Sequence, residues 1–175
     1  MSETGKVRQV VLNLFQDYFK TLRLNGIDLG FGGDPLTLNA IAMDMDNMYG
    51  TAGTMPQHLF GDARNLYWFK GNVFDYVYSS HLLEDFSDTV TALSEWIRVL
   101  RPAGLLVLYL PDEQKFRDVC KRTGQVYNCM HKVPDMGLKY MQNIFAEHFP
   151  YMEEIFTCAE TFDNSYGFLM VLKKR

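Results

Sequence analysis

Three glycines, Gly30, Gly32 and Gly33, crowd the end of a short apolar run, "GIDLGFGGDP", that carries one acid, Asp28. Glycine supplies positive φ and removes Cβ, so such a turn lets a ligand lie against backbone; the same residues also make a tight turn between strands. Asp44 ends a second apolar run, "NAIAMD", where a carboxylate can accept both hydrogen bonds of a sugar diol. Met45 follows it and can cover a flat ring or join a core. Asp62, in "GDA", can accept from an amino group or close an Asx turn. Ser79, Ser80 and His81 end a third run, "VFDYVYSS", and histidine takes or gives a proton near neutral pH. His131 in "CMHKVPD" is a second histidine with that capacity. Tyr109, Tyr127 and Tyr140 could line the space beside them, and Asp112 either binds a hydroxyl there or caps a helix.

The elements that must position these groups alternate along the chain. Residues 6–22 place Val7, Val10, Leu14, Tyr18 and Leu22 at helical spacing. Strands are expected at "GIDLGF", "NAIAMD", "HLFGDA" and 73–80. A helix follows over 88–100 with Ser87 as its N-cap, closed by "RPAG". The run "LLVLYLP" reads as a strand buried on both faces. Helices over 113–123, ended by Gly124, and over 134–148 come next. Two strands around 151–162 and 166–173 are joined by "DNS". This order predicts an α/β, Rossmann-like, mostly parallel sheet with an antiparallel C-terminal hairpin strand. The stretch 33–43 is too short for a full helix plus strand, so the first crossover helix is expected to be shortened. Ligands of such sheets sit beyond the carboxyl ends of the strands, beside the first strand.

Composition narrows the partners. The chain has 175 residues, 47% hydrophobic and 22% charged, with a net charge of −4, which suits a single domain with its own core. That balance argues against a nucleic-acid partner, which would need a basic face. No apolar run reaches the roughly 20 residues that span a bilayer, and the first residues lack a signal-peptide core; a cytoplasmic protein is expected. Cys120, Cys129 and Cys158 form no C-x-x-C pair and imply neither disulfides nor a metal site. A homodimer is compatible with the sequence, though no feature demands one.

The ordered set "GIDLGFGGDP", "AIAMDM", "FGDARNLYW", "NVFDYVYSSHLLEDF", "LSEWIRVLRPAG" and "LLVLYLP" resembles class I S-adenosylmethionine-dependent methyltransferases over residues 24–112. It is more closely similar to the small methyltransferase-like proteins linked to sugar or envelope biosynthesis. The resemblance implies S-adenosylmethionine as cofactor. Asp28, Gly30, Phe31 and Gly32 then line its methionine part, although Phe31 stands where relatives more often have a small residue. Asp44 takes the ribose and Met45 lies beside the adenine. Asp62 and Ala63 meet the adenine edge, and Ser79, Ser80 and His81 run under the reactive end. Asp85 stands where many relatives carry a second histidine. Residues 1–23 are then an N-terminal helix, 24–112 the cofactor core, 113–150 the acceptor side and 151–175 the hairpin.

The implied function is methyl transfer to a small-molecule or carbohydrate-like acceptor, with His81 and His131 as the general-base candidates. Two other readings stand beside it. A methyltransferase-like protein without catalysis would use the same fold as a binding or regulatory module. An NAD-dependent oxidoreductase would need a further glycine where Pro35 stands.

Overall fold

The protein is described from a computed structural model over residues 3–21, 24–45, 56–159 and 166–175. The amphipathic opening is two helices, α1 (Glu3–Leu14) and α2 (Gln16–Thr21), divided at Phe15. Four strands follow: β1 (Gly26–Leu29), β2 (Ile41–Asp44), β3 (Leu59–Phe60) and β4 (Phe74–Ser80). After a 3-10 turn at Leu83–Asp85 come α3 (Thr89–Val99), β5 (Leu100–Pro111), α4 (Glu113–Thr123) and α5 (Leu138–His148). The chain ends in β6 (Met152–Cys158) and β7 (Gly167–Lys174).

These strands form one seven-stranded sheet in the order β3-β2-β1-β4-β5-β7-β6. The first five run parallel, and β7 is antiparallel to both β5 and β6, the expected architecture. The period-two alternation of a strand sends Val77, Leu106, Leu108 and Leu110 to one face, where Leu93, Trp96 and Ile97 of α3 and Met141 and Phe145 of α5 cover them. Tyr76, Tyr78, Leu105, Val107 and Tyr109 go to the other, under Val7 and Val11 of α1 and Leu36 and Ala40. Burial on both faces explains the unbroken apolar run of β5. Among the described residues no helix is long and apolar enough to cross a membrane.

Boundaries differ from the sequence expectation where hydrogen bonds reach across the fold. The N-cap of α3 is Asp88, not Ser87: its carboxylate accepts from Thr91 N at 3.0 Å. The α5 helix starts at Leu138, not 134, because residues 133–136 close a turn, Met136 N to Val133 O at 3.2 Å. "RPAG" is part of β5, where Ala103 adopts φ 62° and Arg101 Nε lies 2.7 Å from Asp75 Oδ1. The third strand shrinks from "HLFGDA" to Leu59–Phe60. The "DNS" turn lies outside the described residues. The α4 helix runs as expected, capped by Asp112, which accepts from Lys115 N at 3.1 Å, and closed by Gly124 at φ 73°.

Two connections between parallel strands contain no helix, so side chains from elsewhere satisfy their backbones. Residues 30–40 join β1 to β2 by turns alone. Gly30 N and Phe31 N donate to Met43 O at 3.0 and 3.2 Å. Leu36 N donates to Asp28 Oδ2 at 2.7 Å, and Leu36 O accepts from Arg8 Nε at 3.1 Å. Arg8 of α1 also holds the Asp34 carboxylate and Pro35 O. Residues 61–73, between β3 and β4, are held by α3. Leu66 N donates to Glu95, Arg98 donates to Phe69 O and Leu66 O, and Trp96 Nε1 donates to Ala63 O at 2.8 Å.

At the base of β1 a Cβ on Gly26 would lie 1.9 Å from Tyr76 Cζ. Tyr76 is fully buried and its hydroxyl is 2.8 Å from Thr37 Oγ1, so the ring has nowhere to go. Gly26→Ala is therefore expected to destabilise the fold by about 3 kcal/mol, read as a lower urea midpoint at unchanged slope.

Candidate functional site

The connections from β1 and from β3 leave in opposite directions across the sheet, which puts its switch point, where such sheets form a ligand crevice, beyond the carboxyl ends of β1 and β4. One half of that crevice is built by the glycine turn. Gly30 and Gly32 adopt φ 69° and 56°, values that side-chain-bearing residues resist. Among the described residues a Cβ on Gly32 would meet only Gly30 O, at 3.8 Å, so backbone there is open to a ligand. Asp44 at the end of β2 reaches across: Oδ2 accepts from Gly32 N at 3.1 Å and Oδ1 from Met45 N at 2.8 Å. Each of its oxygens keeps a lone pair, enough to accept from a diol. Phe31 is buried in the turn and Met45 is exposed beside Asp44.

Asp28 lies behind this turn rather than in the crevice. It is 1% exposed, Oδ2 serves Leu36 N, and Oδ1 has no hydrogen-bond partner among the described residues. Burial pushes its carboxyl well above the usual range, opposed by the Leu36 amide and the charge of Arg8. Asp62 closes an Asx turn through Arg64 N at 2.9 Å and pairs with the Arg64 guanidinium at 2.7 Å, whose hydrogen bonds hold its carboxyl below the usual range. Ala63 is buried, with its carbonyl on Trp96. Ser79 is buried under β1 and donates to Leu29 O at 3.0 Å, while Ser80 is half-buried at the end of β4.

The other half gathers histidines and acids. His81 follows β4 with φ 49°, and its backbone N donates to Tyr109 O at 2.9 Å. A non-glycine residue in this region costs about 1–3 kcal/mol and persists where its surroundings fix it. Its Nδ1 is 3.3 Å from Glu84 Oε1. His131 comes from the segment after α4, with Nε2 3.8 Å from that same oxygen and Nδ1 bonded to Glu113 Oε1. Glu113 in turn accepts from Tyr127 OH at 2.6 Å and lies 3.8 Å from Arg117 Nε. Both glutamates are fully buried. Phe116 stacks near His131, ring centres 5.3 Å apart. Asp85 sits beside them; burial and the charge of Glu84 push its carboxyl up, while His131, Lys132 and His81 oppose.

The structure thus brings His81 and His131 together through Glu84. Sequence reasoning missed Glu84 and Glu113. A local signal existed for each, Glu84 standing three residues after His81 and Glu113 four before Arg117, but the pairing across segments is visible only in the fold. Tyr140 is elsewhere, donating to Thr89 Oγ1 at 3.3 Å, and His58 Nδ1 accepts from Ala42 N at 3.1 Å as a structural bond.

Residues 35–108 match the family model described as a methyltransferase domain. The match runs from the first crossover into β5 and agrees with the resemblance to class I S-adenosylmethionine-dependent methyltransferases. The chain is similar to a solved S-adenosylmethionine-dependent methyltransferase from Archaeoglobus fulgidus at 16% identity and TM-score 0.66, covering 98% of this chain and 94% of that one. The PH0226 protein from Pyrococcus horikoshii gives 16% identity and TM-score 0.63, covering 99% and 92%. The CurJ carbon methyltransferase gives 16% and 0.68, covering 99% of this chain and 55% of that one. At such identities the structures speak for the fold. No curated protein matches. The family match begins at Pro35, just past the glycine turn.

The methyltransferase-domain match implies S-adenosylmethionine as cofactor. The residues present suit its nucleoside: an acid with spare acceptor capacity ends β2, and open glycine backbone faces it.

Asp28 has a consequence for stability. Its raised folded value means that its contribution is fully present below the unfolded carboxyl range, near pH 4, and is lost as pH rises through the folded value. Asp28→Asn keeps an acceptor for Leu36 N and does not ionise. Its stability relative to the parent is expected to grow between pH 4 and 8, measured by urea unfolding at each pH.

Proposed function

We propose that this methyltransferase transfers a methyl group from S-adenosylmethionine to a small-molecule acceptor bearing a hydroxyl, of carbohydrate-like type. The observation that carries the reading is Asp44, which faces the open Gly32 backbone across the crevice while holding that turn in place. Asp44 binds the ribose diol there, Gly32 lets the cofactor approach backbone while Gly30 packs against Leu82, and Met45 lies beside the base. Asp28 supports the turn from behind through Leu36. Ser79 ties the end of β4 to β1, Ser80 follows it at the strand end, and Asp62 and Ala63 stand past β3 on the adenine side.

When bound, the cofactor supplies an already activated methyl group on its sulfonium. What remains for the chain is to orient the acceptor, exclude water and take up the hydroxyl proton. His81 accepts that proton, as the histidine at the end of β4. His131, with Nδ1 on Glu113 and Nε2 toward Glu84, is held as a support for that end of the crevice. Phe116 and Tyr127 wall it.

The test is calorimetric titration with S-adenosylhomocysteine, with NAD as control. Binding of the first and not of the second is expected, and saturation at a hundred times the dissociation constant should add about 2.7 kcal/mol to stability. Asp44→Ala, checked for folding by circular dichroism, is expected to weaken binding about 100-fold, the loss of hydrogen bonds to a charged group. If S-adenosylhomocysteine fails to bind at millimolar concentration, the helix-free crossover has closed the cradle and the fold serves a binding role without catalysis.

A further inference from the structure

A crossover without a helix has little stiffness of its own, and residues 30–40 take part of their shape from α1. Arg8 donates Nε–H to Leu36 O at 3.1 Å and holds the Asp34 carboxylate and Pro35 O with the rest of its guanidinium. A planar fork with five donors is suited to gripping acceptors on three successive residues, which a lysine ammonium is not.

That grip is passed on toward the crevice. Leu36 gives its N–H to Asp28 Oδ2 at 2.7 Å, on the strand that ends in the glycine turn. Asp34 N donates back to Phe31 O at 3.4 Å, and the next residue, Gly32, donates to the Asp44 carboxylate at 3.1 Å. The helix that carries Arg8 rests on the sheet face. Val7 and Val11 are fully buried in one apolar cluster with Leu36 and Ala40, and Thr4 Oγ1 accepts from Tyr78 OH at 3.1 Å. Lifting α1 would remove Arg8 and uncover Leu36 together, so helix docking and turn geometry change as a unit.

We infer that Arg8 is a positioning residue for the cofactor turn, and that docking of α1 and binding of the cofactor are linked, each favouring the other. With the turn already held, the cofactor meets the Gly32 backbone and the Asp44 carboxylate in place. With Arg8 gone, the ordering of residues 30–40 has to accompany binding and weakens it. This rests on the reading of Gly32 and Asp44 as the nucleoside site.

The test compares Arg8→Met, which keeps an apolar stem and loses all three bonds, with Lys174→Met. Lys174 ties Ile97 O, Leu100 O and Asn72 Oδ1 at 2.8, 2.6 and 2.9 Å, away from the turn, so its loss controls for a general drop in stability. In protein without ligand, Arg8→Met is expected to speed amide exchange at Leu36 and Gly32 about 10-fold, and Lys174→Met to leave both near the parent rate. Calorimetric titration with S-adenosylhomocysteine is expected to give about 10-fold weaker binding to Arg8→Met and parent-like binding to Lys174→Met. Linkage is reciprocal, so the same ligand should slow exchange of the Val7 and Val11 amides of the parent by a similar factor. Unchanged exchange at Leu36 and Gly32 in Arg8→Met overturns the proposal whether or not the ligand binds. Faster exchange there with unchanged affinity leaves Arg8 a scaffold residue and overturns the linkage. Absence of binding to all three proteins sinks the cofactor reading and the linkage with it, while the exchange rates still report whether Arg8 sets the turn. Should Arg8→Met not fold, Arg8→Lys, which keeps the charge without the fork, is expected to lose part of both effects, and parent-like values in it contradict the proposal.

Discussion

A parallel pair of adjacent strands must be joined by a chain that returns the full length of the sheet, and here β1 reaches β2 through residues 30–40 with no helix. A helix would satisfy its own backbone; a string of turns cannot, and buried amides left bare are costly. The solution is to bring acceptors and donors from outside. Asp28 takes Leu36 N, Met43 O takes two amides of the glycine turn, Asp44 takes Gly32 N, and Arg8 ties down three acceptors between 34 and 36. The second helix-free connection, 61–73, is handled the same way by Trp96, Glu95 and Arg98 of α3. The N-terminal helix α1 is thereby integral to the glycine-turn side, because it covers the sheet face and supplies Arg8.

This arrangement separates two acids that look alike in sequence. Asp28 and Asp44 both end or nearly end short apolar strands. One points under the turn and is consumed by it, with burial penalising its charge. The other points across the mouth of the crevice and keeps acceptor capacity while it braces the glycines. The crevice continues at β4, where left-handed backbone at His81 turns the chain back and a buried carboxylate meets the ring. Scaffold hydrogen bonds and site hydrogen bonds are thus partly the same bonds.

The sheet was legible because period-two burial writes itself into β4 and β5, and because Gly124 and Asp112 mark helix ends by local chemistry. The short crossover was legible as well, from the spacing of Gly32 and Asp44. What escaped was set by contacts distant in sequence. The start of α5 depends on a turn at 133–136, the cap of α3 on which of two neighbouring polar residues reaches Thr91, and the length of β3 on pairing with β2. At the site, His81 and His131 could be named as candidates, but their link through Glu84 and the anchoring by Glu113 arise only when α4 and its following segment fold against the end of β4. A buried glutamate reads in sequence as a solvated one.

The central claim is that Asp44 holds the glycine turn and the nucleoside at once. A crystal structure with S-adenosylhomocysteine tests it most directly. The account predicts both ribose hydroxyls on the Asp44 carboxylate, with Gly32 N still donating to it and residues 30–40 still free of helix. A nucleoside bound away from Asp44, or a crossover refolded to admit it, would contradict the account.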